Sequence, residues 1–166
     1  MVPDARIGEQ NYPPGVTYPT AESRQIAAPA EKVWSLVSDL PRMGEWSPEN
    51  AGGSWCSEAT GPAMGATFAG KNRNGFRKWT TTATVVACEP GQVFEIAVTT
   101  GRIPVARWRY EFEGTPGGCR VTESWMDERN FLVRVTGRVL GAHDAAHAHE
   151  EMAATLANLA GAAEKP

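Results

Sequence analysis

The fold class of this chain is decided by one stretch, residues 105–113, which reads VARWRYEFE. Trp108, Tyr110 and Phe112 alternate there with charged residues, so one face of the segment is aromatic and the other is charged. Alternation with a period of two is typical of a strand that packs one face on a core and turns the other outward. The stretch therefore predicts a half-buried strand of an antiparallel sheet.

Other segments with the same period lie on both sides of this strand and are separated by turn residues, which is the pattern of a meander. The predicted strands are 54–57, 67–72, 78–88, 93–99, 105–113 and 119–126, with a further strand over 22–28. Asn74-Gly75 lies between two of them and predicts a tight hairpin turn, because both residues tolerate positive φ.

The period changes to 3.6 before and after the meander. Residues 29–38 predict a first helix, and Pro41 opens a second short helix that ends near Gly44. Residues 142–163 are dense in good helix formers and predict a long C-terminal helix. Its apolar face is predicted to carry Ala145, His149, Met152, Ala153, Leu156, Leu159 and Ala160. The small alanines leave room beneath the helix for a ligand, or else let the helix approach the sheet closely.

The order of elements favours an α+β fold. A single long helix cannot cover both faces of such a sheet, so we expect the sheet to curl around that helix, with the short helices closing one end. The 166 residues fit one domain. Residues 1–19 are polar and rich in Pro and Gly, which predicts a flexible arm before a single domain over 20–164.

Several segments resemble the START-like helix-grip superfamily, and within it the polyketide cyclase/dehydratase-like branch. They are 26–34 (IAAPAEKVW), 39–49 (DLPRMGEWSPE), 65–73 (GATFAGKNR), 77–81 (RKWTT), 117–125 (GGCRVTESW) and the terminal helix. The resemblance runs from about residue 22 to residue 162 and implies a helix-grip fold: a curved antiparallel sheet around a long C-terminal helix, with two short helices after the first strand. It also implies a pocket, but no particular mechanism, because no single catalytic constellation defines the superfamily.

Composition excludes several classes of partner. The net charge is −3 and the basic residues are scattered, so we expect no nucleic-acid binding. No apolar stretch approaches the roughly 20 residues that span a bilayer, so we expect no integral membrane association. The N-terminus lacks a secretory apolar segment and the three cysteines are widely spaced, which favours a cytoplasmic protein with reduced thiols. Oligomeric state stays open, with a homodimer as one option.

Three side chains are candidates for acid–base chemistry. His149 lies within the predicted apolar stripe, where it would serve a ligand, or be a core histidine satisfied by a neighbour. Glu123 shares a strand face with Trp125, so it enters the pocket with a raised pKa, unless a bulge leaves it in water or pairs it with an arginine. Tyr110 could offer its hydroxyl to a ligand.

The predicted ligand-binding residues come from the inward strand faces and the helix stripe. They are Phe68, Asn72, Trp79, Phe94, Ile96, Trp108, Tyr110, Phe112, Glu123, Trp125, Ala145, His149, Met152 and Ala153. Asn72 would orient a ligand, or cap the Asn74-Gly75 hairpin. Arg73, Arg77 and Lys78 would attract an anionic substrate, or form a solvated sheet edge. Trp46, in a loop flanked by Pro and Gly, would gate the opening, or simply pack on the sheet rim.

No metal or cofactor is expected. His143 and His147 with Glu150 or Glu151 have the spacing of metal ligands on a helix. However, that face lies opposite the apolar stripe, so we interpret it as a solvated polar surface. The sequence also lacks a nucleophile elbow, a phosphate loop and a dinucleotide fingerprint.

These features lead to alternative functions. The first is binding of a hydrophobic small molecule, such as a lipid, polyketide or aromatic metabolite, in a cavity between sheet and helix. The second is a polyketide cyclase or dehydratase that uses His149, Glu123 or Tyr110 as proton shuttles. A third is a stress or toxin–antitoxin partner with an exposed apolar patch.

Overall fold

The chain folds into one antiparallel sheet of seven strands, described here from a computed structural model for residues 18–130 and 145–165. In space the strands follow the order β1-β7-β6-β5-β4-β3-β2. Their bounds are β1 Thr20–Ile26, β2 Asn50–Trp55, β3 Thr67–Asn74, β4 Arg77–Glu89, β5 Val93–Thr100, β6 Ile103–Thr115 and β7 Gly118–Asp127. Only β1 and β7 are neighbours that do not follow each other in the chain, so the predicted six-stranded meander is present.

The helices also take the expected places. Helix α1 spans Ala30–Ser38, a 3₁₀ helix spans Leu40–Glu45, and helix α2 spans Ala145–Ala163. The predicted start of the long helix, residues 142–144, and most of the predicted arm lie outside the described residues. Within the described residues, no helix has the length and apolar character that crossing a membrane requires. The α+β class and the helix-grip arrangement are therefore confirmed.

The predicted hairpin exists, but its turn is displaced by one residue. Asn74 pairs with Arg77, so the two turn residues are Gly75 and Phe76 rather than Asn74 and Gly75. Gly75 has a φ of +57°, and glycine at the first central position is one of the favoured patterns for a two-residue hairpin. The displacement leaves Phe76 at the tip of the hairpin, where it is fully exposed.

The alternation in β6 places its aromatic side chains on the concave face of the sheet, as predicted, but the charged face is not simply solvated. Arg109 is only 5% exposed and donates a 2.6 Å hydrogen bond to Glu95 on β5, which is itself buried. Tyr18 donates to the other oxygen of Glu95 at 2.8 Å. Because charge-assisted hydrogen bonds join the terminal nitrogens of Arg109 to Glu95 and Glu111, the two charges can be buried on the outer face of the sheet.

The buried face of α2 differs from the predicted stripe. Its buried residues are Ala148, Met152, Thr155, Leu156, Leu159, Ala160 and Ala163. Ala145, His149 and Ala153 are exposed, so their predicted inward orientation is wrong. Alanine occurs on most sides of the first turns of this helix, and the hydrophobic pattern there does not define one face.

The two-helix end of the molecule is closed by tryptophan contacts. Trp46 is buried, and its indole N–H faces the Met43 sulfur at 3.0 Å. Its backbone carbonyl accepts a 2.9 Å hydrogen bond from Asn158 of α2. Trp34 of α1 donates to the Val93 carbonyl at 3.0 Å. Trp46 therefore fastens α2 to the 3₁₀ helix and is not placed as a gate.

Gly53→Ala should destabilise the fold, because a Cβ there would overlap the Ala69 carbonyl oxygen and lie 2.7 Å from the Phe68 ring. We expect a loss of about 1–3 kcal/mol in urea denaturation, as for other overpacked sites. Gly161→Ala is the matched control, because nothing lies within 4 Å of its Cβ in α2. It should add about 0.5–1 kcal/mol, and equal effects of the two substitutions would contradict the packing described here.

Candidate ligand-binding cavity

A cavity of about 840 Å³ lies between the concave face of the sheet and helix α2. Most of its apolar lining comes from strands β3 to β7 and includes Phe68, Trp79, Ile96, Val98, Trp108 and Trp125, and Leu40 and Met43 of the 3₁₀ helix add to it. Helix α2 contributes only Glu151 and Thr155. Cavities of roughly 300–1,000 Å³ hold drug-sized ligands, so this one is large enough for a small molecule.

The hollow follows from the way in which α2 contacts the sheet. The helix packs mainly on β1, with a smaller contact to β7 and to α1. Helix α1 covers part of β5 and β6, but much of the inner face of β3 to β6 is left uncovered, so inward side chains such as Trp79, Ile96 and Trp108 face open space. The space therefore comes from uncovered strands and not from the alanines of the helix, whose predicted inward positions 145 and 153 are exposed.

Glu123 is the acidic group in the deepest polar part of the cavity wall. It lies on β7 opposite Tyr110 in an unbroken register with β6, so the alternative with a bulge is excluded. The carboxyl is 2% exposed, and the Tyr110 hydroxyl donates to its Oε1 at 2.5 Å. Its Oε2 is buried and has no hydrogen-bond partner among residues 18–130 and 145–165.

The pKa of Glu123 is raised to about 8, mainly by burial in this wall; the Tyr110 hydrogen bond opposes the shift and the nearby charge of Glu151 adds to it. The carboxyl is therefore mostly protonated at neutral pH. Since Oε1 accepts from Tyr110, we place the proton on Oε2, where a ligand oxygen that reached it would accept a hydrogen bond. Burial is the main cause that raises the pKa of Tyr110, and the charge of Glu123 adds to the rise. The phenol is therefore neutral.

Asn72 lines the cavity on the opposite side from Glu123, on strand β3. Its side-chain amide donates a 3.0 Å hydrogen bond to the Thr81 hydroxyl on β4. This contact across the strands fixes the amide, so its carbonyl oxygen keeps a defined direction. Asn72 therefore acts within the cavity wall and does not cap the hairpin.

Glu49, His147 and Glu151 form the group among the described residues that could hold a metal ion, since their ligand atoms lie within 4.8 Å of one another. His147 Nε2 lies 3.2 Å from Glu49 and 3.8 Å from Glu151. Asn74 also donates to Glu49, at 2.5 Å. The predicted solvated face is therefore partly buried here, and these contacts hold α2 to the start of β2. His143, the other histidine of the sequence motif, lies outside the described residues.

The structure brings most of the predicted ligand-binding residues to the cavity. Those that line it are Phe68, Asn72, Trp79, Ile96, Trp108, Tyr110, Glu123 and Trp125. Phe94, Phe112 and Met152 are buried in the core but do not line the cavity. Ala145, His149 and Ala153 are exposed on the outer side of α2.

His149 is the clearest correction among the candidate catalytic residues. Its side chain is 53% exposed, and its Nδ1 lies 2.5 Å from Glu22 of β1. It therefore joins the outer side of α2 to the edge strand and does not reach the cavity.

Sequence reasoning missed Thr81, Val98, Glu151 and Thr155 as lining residues. Thr81 and Val98 share inward faces with Trp79 and Ile96, so strict alternation would have found them. Glu151 and Thr155 depend on the rotation of α2, which the sequence did not define. Glu49 could not be found, because 98 residues separate it from His147.

A seven-stranded sheet gripping one C-terminal helix, with a hollow between them, defines the class of helix-grip pocket proteins. The chain belongs to the family "Polyketide cyclase / dehydrase and lipid transport", whose model matches residues 20–164. The resemblance inferred from the sequence is thereby confirmed. Among curated proteins the comparison found no match.

Solved structures show the same fold. The polyketide-cyclase-like protein Cgl2372 from Corynebacterium glutamicum is 35% identical, with a TM-score of 0.50, covering 87% of this chain and 83% of its own. The di-domain ARO/CYC StfQ of the steffimycin biosynthetic pathway is 13% identical, with a TM-score of 0.65, covering 87% of this chain and 49% of its own. Major latex-like protein 151 from Panax ginseng is 11% identical, with a TM-score of 0.65 and coverages of 87% and 96%.

Glu123→Gln should change how stability depends on pH. Between the ordinary value of 4.5 and the folded pKa of about 8, the unfolded chain loses the Glu123 proton while the folded chain keeps it. The free energy of unfolding of the native protein should therefore fall across this window relative to Glu123→Gln, which cannot ionise. Urea denaturation at pH 5, 7 and 9 measures the difference. Glu113→Gln, at an exposed position, is the control, and parallel profiles for Glu123→Gln and the native protein would refute the protonated carboxyl.

Proposed function

We propose that this protein binds a hydrophobic small molecule, such as a lipid, a polyketide or an aromatic metabolite, in the cavity between the sheet and α2. The observation that carries the proposal is the apolar lining of a cavity of about 840 Å³, in which Trp79, Trp108 and Trp125 all take part. Apolar surface facing water inside a protein costs free energy, at about 25 cal/mol per Å². A ligand that covers these rings recovers that free energy on binding.

The polar groups of the wall restrict the kind of ligand. Glu123 is neutral at physiological pH and has a proton on an oxygen without a partner in the described chain. It therefore suits a ligand with a carbonyl, ether or hydroxyl oxygen in an otherwise apolar body. An anionic group beside Glu123 would also meet the charge of Glu151, so ligands should enter with any acidic end directed toward the solvent.

The comparisons support this proposal at the level of the family. The family description names polyketide cyclases, dehydrases and lipid transport, and all of these handle largely apolar molecules. The ginseng protein and the ARO/CYC domains support the fold alone at their levels of identity. We further propose a cytoplasmic location, because the three cysteines are free thiols in the structure.

Thr81→Trp should block binding, because Thr81 lines the cavity. We expect the affinity for N-phenyl-1-naphthylamine, a neutral apolar fluorophore, to fall at least tenfold in a fluorescence titration. Thr82→Trp is the matched control, because the neighbouring residue on the same strand faces the other side of the sheet. It should bind like the native protein, and equal affinities for the two tryptophan variants would contradict binding in this cavity.

A second candidate function is a cyclase or dehydratase that acts on a poly-β-keto chain. The specific observation in its favour is the Glu123–Tyr110 pair, a protonated carboxyl with a pKa of about 8 hydrogen-bonded to a phenol inside an apolar cavity. A group with a pKa near the working pH is suited to give and take a proton during enolisation or loss of water. His149, the other sequence candidate, faces solvent and does not contribute.

Glu123→Gln separates the two functions. The amide keeps a hydrogen-bond donor at Glu123 but cannot exchange a proton with a substrate, so a pure binding protein should keep its ligand affinity within about threefold. An enzyme should lose about 10²-fold or more in kcat while its affinity stays the same. His149→Ala, as the control, should change neither quantity. Unchanged turnover of an aromatising poly-β-keto substrate in Glu123→Gln would exclude Glu123 as the acid.

A further inference from the structure

The hairpin that joins β3 and β4 carries a concentration of positive charge that the rest of the chain lacks. Residues 71–78 read KNRNGFRK and contain four cations and no acid, although the whole chain has a net charge of −3. Lys71, Arg73, Arg77 and Lys78 are all exposed. This hairpin is therefore the local exception to a mildly acidic protein.

Two features of the hairpin are unfavourable for the fold itself. Arg73 lies directly opposite Lys78 in the β3–β4 register, and like charges in such a pair destabilise a sheet. Phe76 is fully exposed at a turn position where a polar residue would serve equally well. Departures from local rules without a structural gain are expected at functional sites.

The hairpin also lies at the opening of the cavity. Gly75, Phe76 and Arg77 line it together with Thr100 and Val105 from the neighbouring β5–β6 hairpin. Because Phe76 is fully exposed and still lines the cavity, the cavity reaches the solvent beside this ring. Ile103, in the same neighbouring hairpin, adds a second apolar side chain that is 50% exposed.

We propose that the β3–β4 hairpin docks this protein on the surface of an anionic lipid bilayer. Phe76 enters the boundary between headgroups and acyl chains, while Lys71, Arg73 and Lys78 contact lipid phosphates. An aromatic tip flanked by cations matches the surface of an anionic bilayer, where negatively charged headgroups lie above apolar acyl chains. The open side of the cavity then faces the bilayer, so an apolar ligand enters or leaves without crossing water; this last step rests on the proposed ligand binding.

The acidic group nearest to the hairpin does not cancel this charge at the tip. The Glu49 side chain is 12% exposed and accepts a hydrogen bond from Asn74, with His147 also at 3.2 Å. Glu49 thus lies beside the last residue of β3 before the turn, on the side of the hairpin that faces α2, where Glu150 and Glu151 line the same groove. The exposed side chains of Lys71, Arg73 and Lys78 can reach the headgroups, each contributing about a factor of five to vesicle affinity.

The proposal is tested by co-sedimentation of the full chain, without added ligand, with vesicles of phosphatidylcholine alone or with 30% phosphatidylglycerol. The native protein should bind the anionic vesicles and should not bind phosphatidylcholine alone. Its affinity for the anionic vesicles should fall steeply between about 0.05 and 0.5 M salt. Phe76→Ser should lower the affinity for vesicles about tenfold or more, since the ring that is buried in the bilayer is lost. The double variant Arg73→Gln/Lys78→Gln should lower it about 30-fold.

Matched controls come from the other end and edge of the sheet. Met64→Ser removes an exposed apolar side chain outside the cavity lining, and Arg24→Gln/Arg120→Gln removes two exposed cations from β1 and β7. Both should bind anionic vesicles like the native protein. The docking site is overturned if Phe76→Ser binds normally, if phosphatidylcholine binds equally well, or if a nucleic acid binds the hairpin more tightly than the vesicles.

The outcome is separable from the proposed function. Thr81→Trp blocks the cavity but leaves the hairpin tip unchanged, so it should lose the fluorophore and keep vesicle binding. Arg73→Gln/Lys78→Gln, at two positions outside the cavity lining, should keep the affinity for the fluorophore within about threefold and lose vesicle binding. If the protein fails to bind vesicles but still binds the fluorophore, only the docking proposal is overturned. If Thr81→Trp and Thr82→Trp bind the fluorophore equally well, only the proposed binding in the cavity is overturned.

Discussion

The structure depends on a mismatch of widths between one helix and seven strands. Adjacent strands lie about 4.8 Å apart, so seven of them span roughly 29 Å, whereas a helix with its side chains is about 10 Å wide. Helix α2 contacts β1, β7 and α1, and α1 contacts β5 and β6, so the two helices cover only part of the inner face of β3 to β6. Those strands curve and keep apolar side chains on their inner face, and the hollow between sheet and helix is the result.

The chemistry of the site follows from the same hollow. A carboxyl in this wall is removed from bulk water without being given a cation, so Glu123 is protonated near neutral pH and bonded to Tyr110. Cations of the described residues are paired with other acids, such as Arg109 with Glu95 on the outer face and Arg129 with Asp127. The cavity therefore combines an aromatic wall with the neutral Glu123–Tyr110 pair, which is a setting for apolar, oxygen-containing molecules.

The sequence predicted the parts of the fold that depend on local patterns. The alternation of Trp108, Tyr110 and Phe112 identified the strand and its inward face correctly, and the same logic placed Glu123 on the inward face with Trp125; that Glu123 lies beside Tyr110 is known only from the structure. It failed for the first turns of α2, where alanine on most sides gives no preferred face, and so His149 was misplaced. The Glu49–His147 contact joins segments 98 residues apart and has no local signal. The hairpin turn is shifted by one residue because Asn74-Gly75 and Gly75-Phe76 both contain a glycine that suits a two-residue turn.

The central claim is that the space beneath α2 is open to an apolar guest. Diffraction from crystals pressurised with xenon tests this most directly, because xenon occupies apolar cavities and gives strong anomalous peaks. We predict xenon sites on the inner face of the sheet, beside Ile96 and Val98 and within reach of Trp108. Electron density showing that the protein's own side chains fill this volume, with no xenon between the sheet and the helix, would contradict the account.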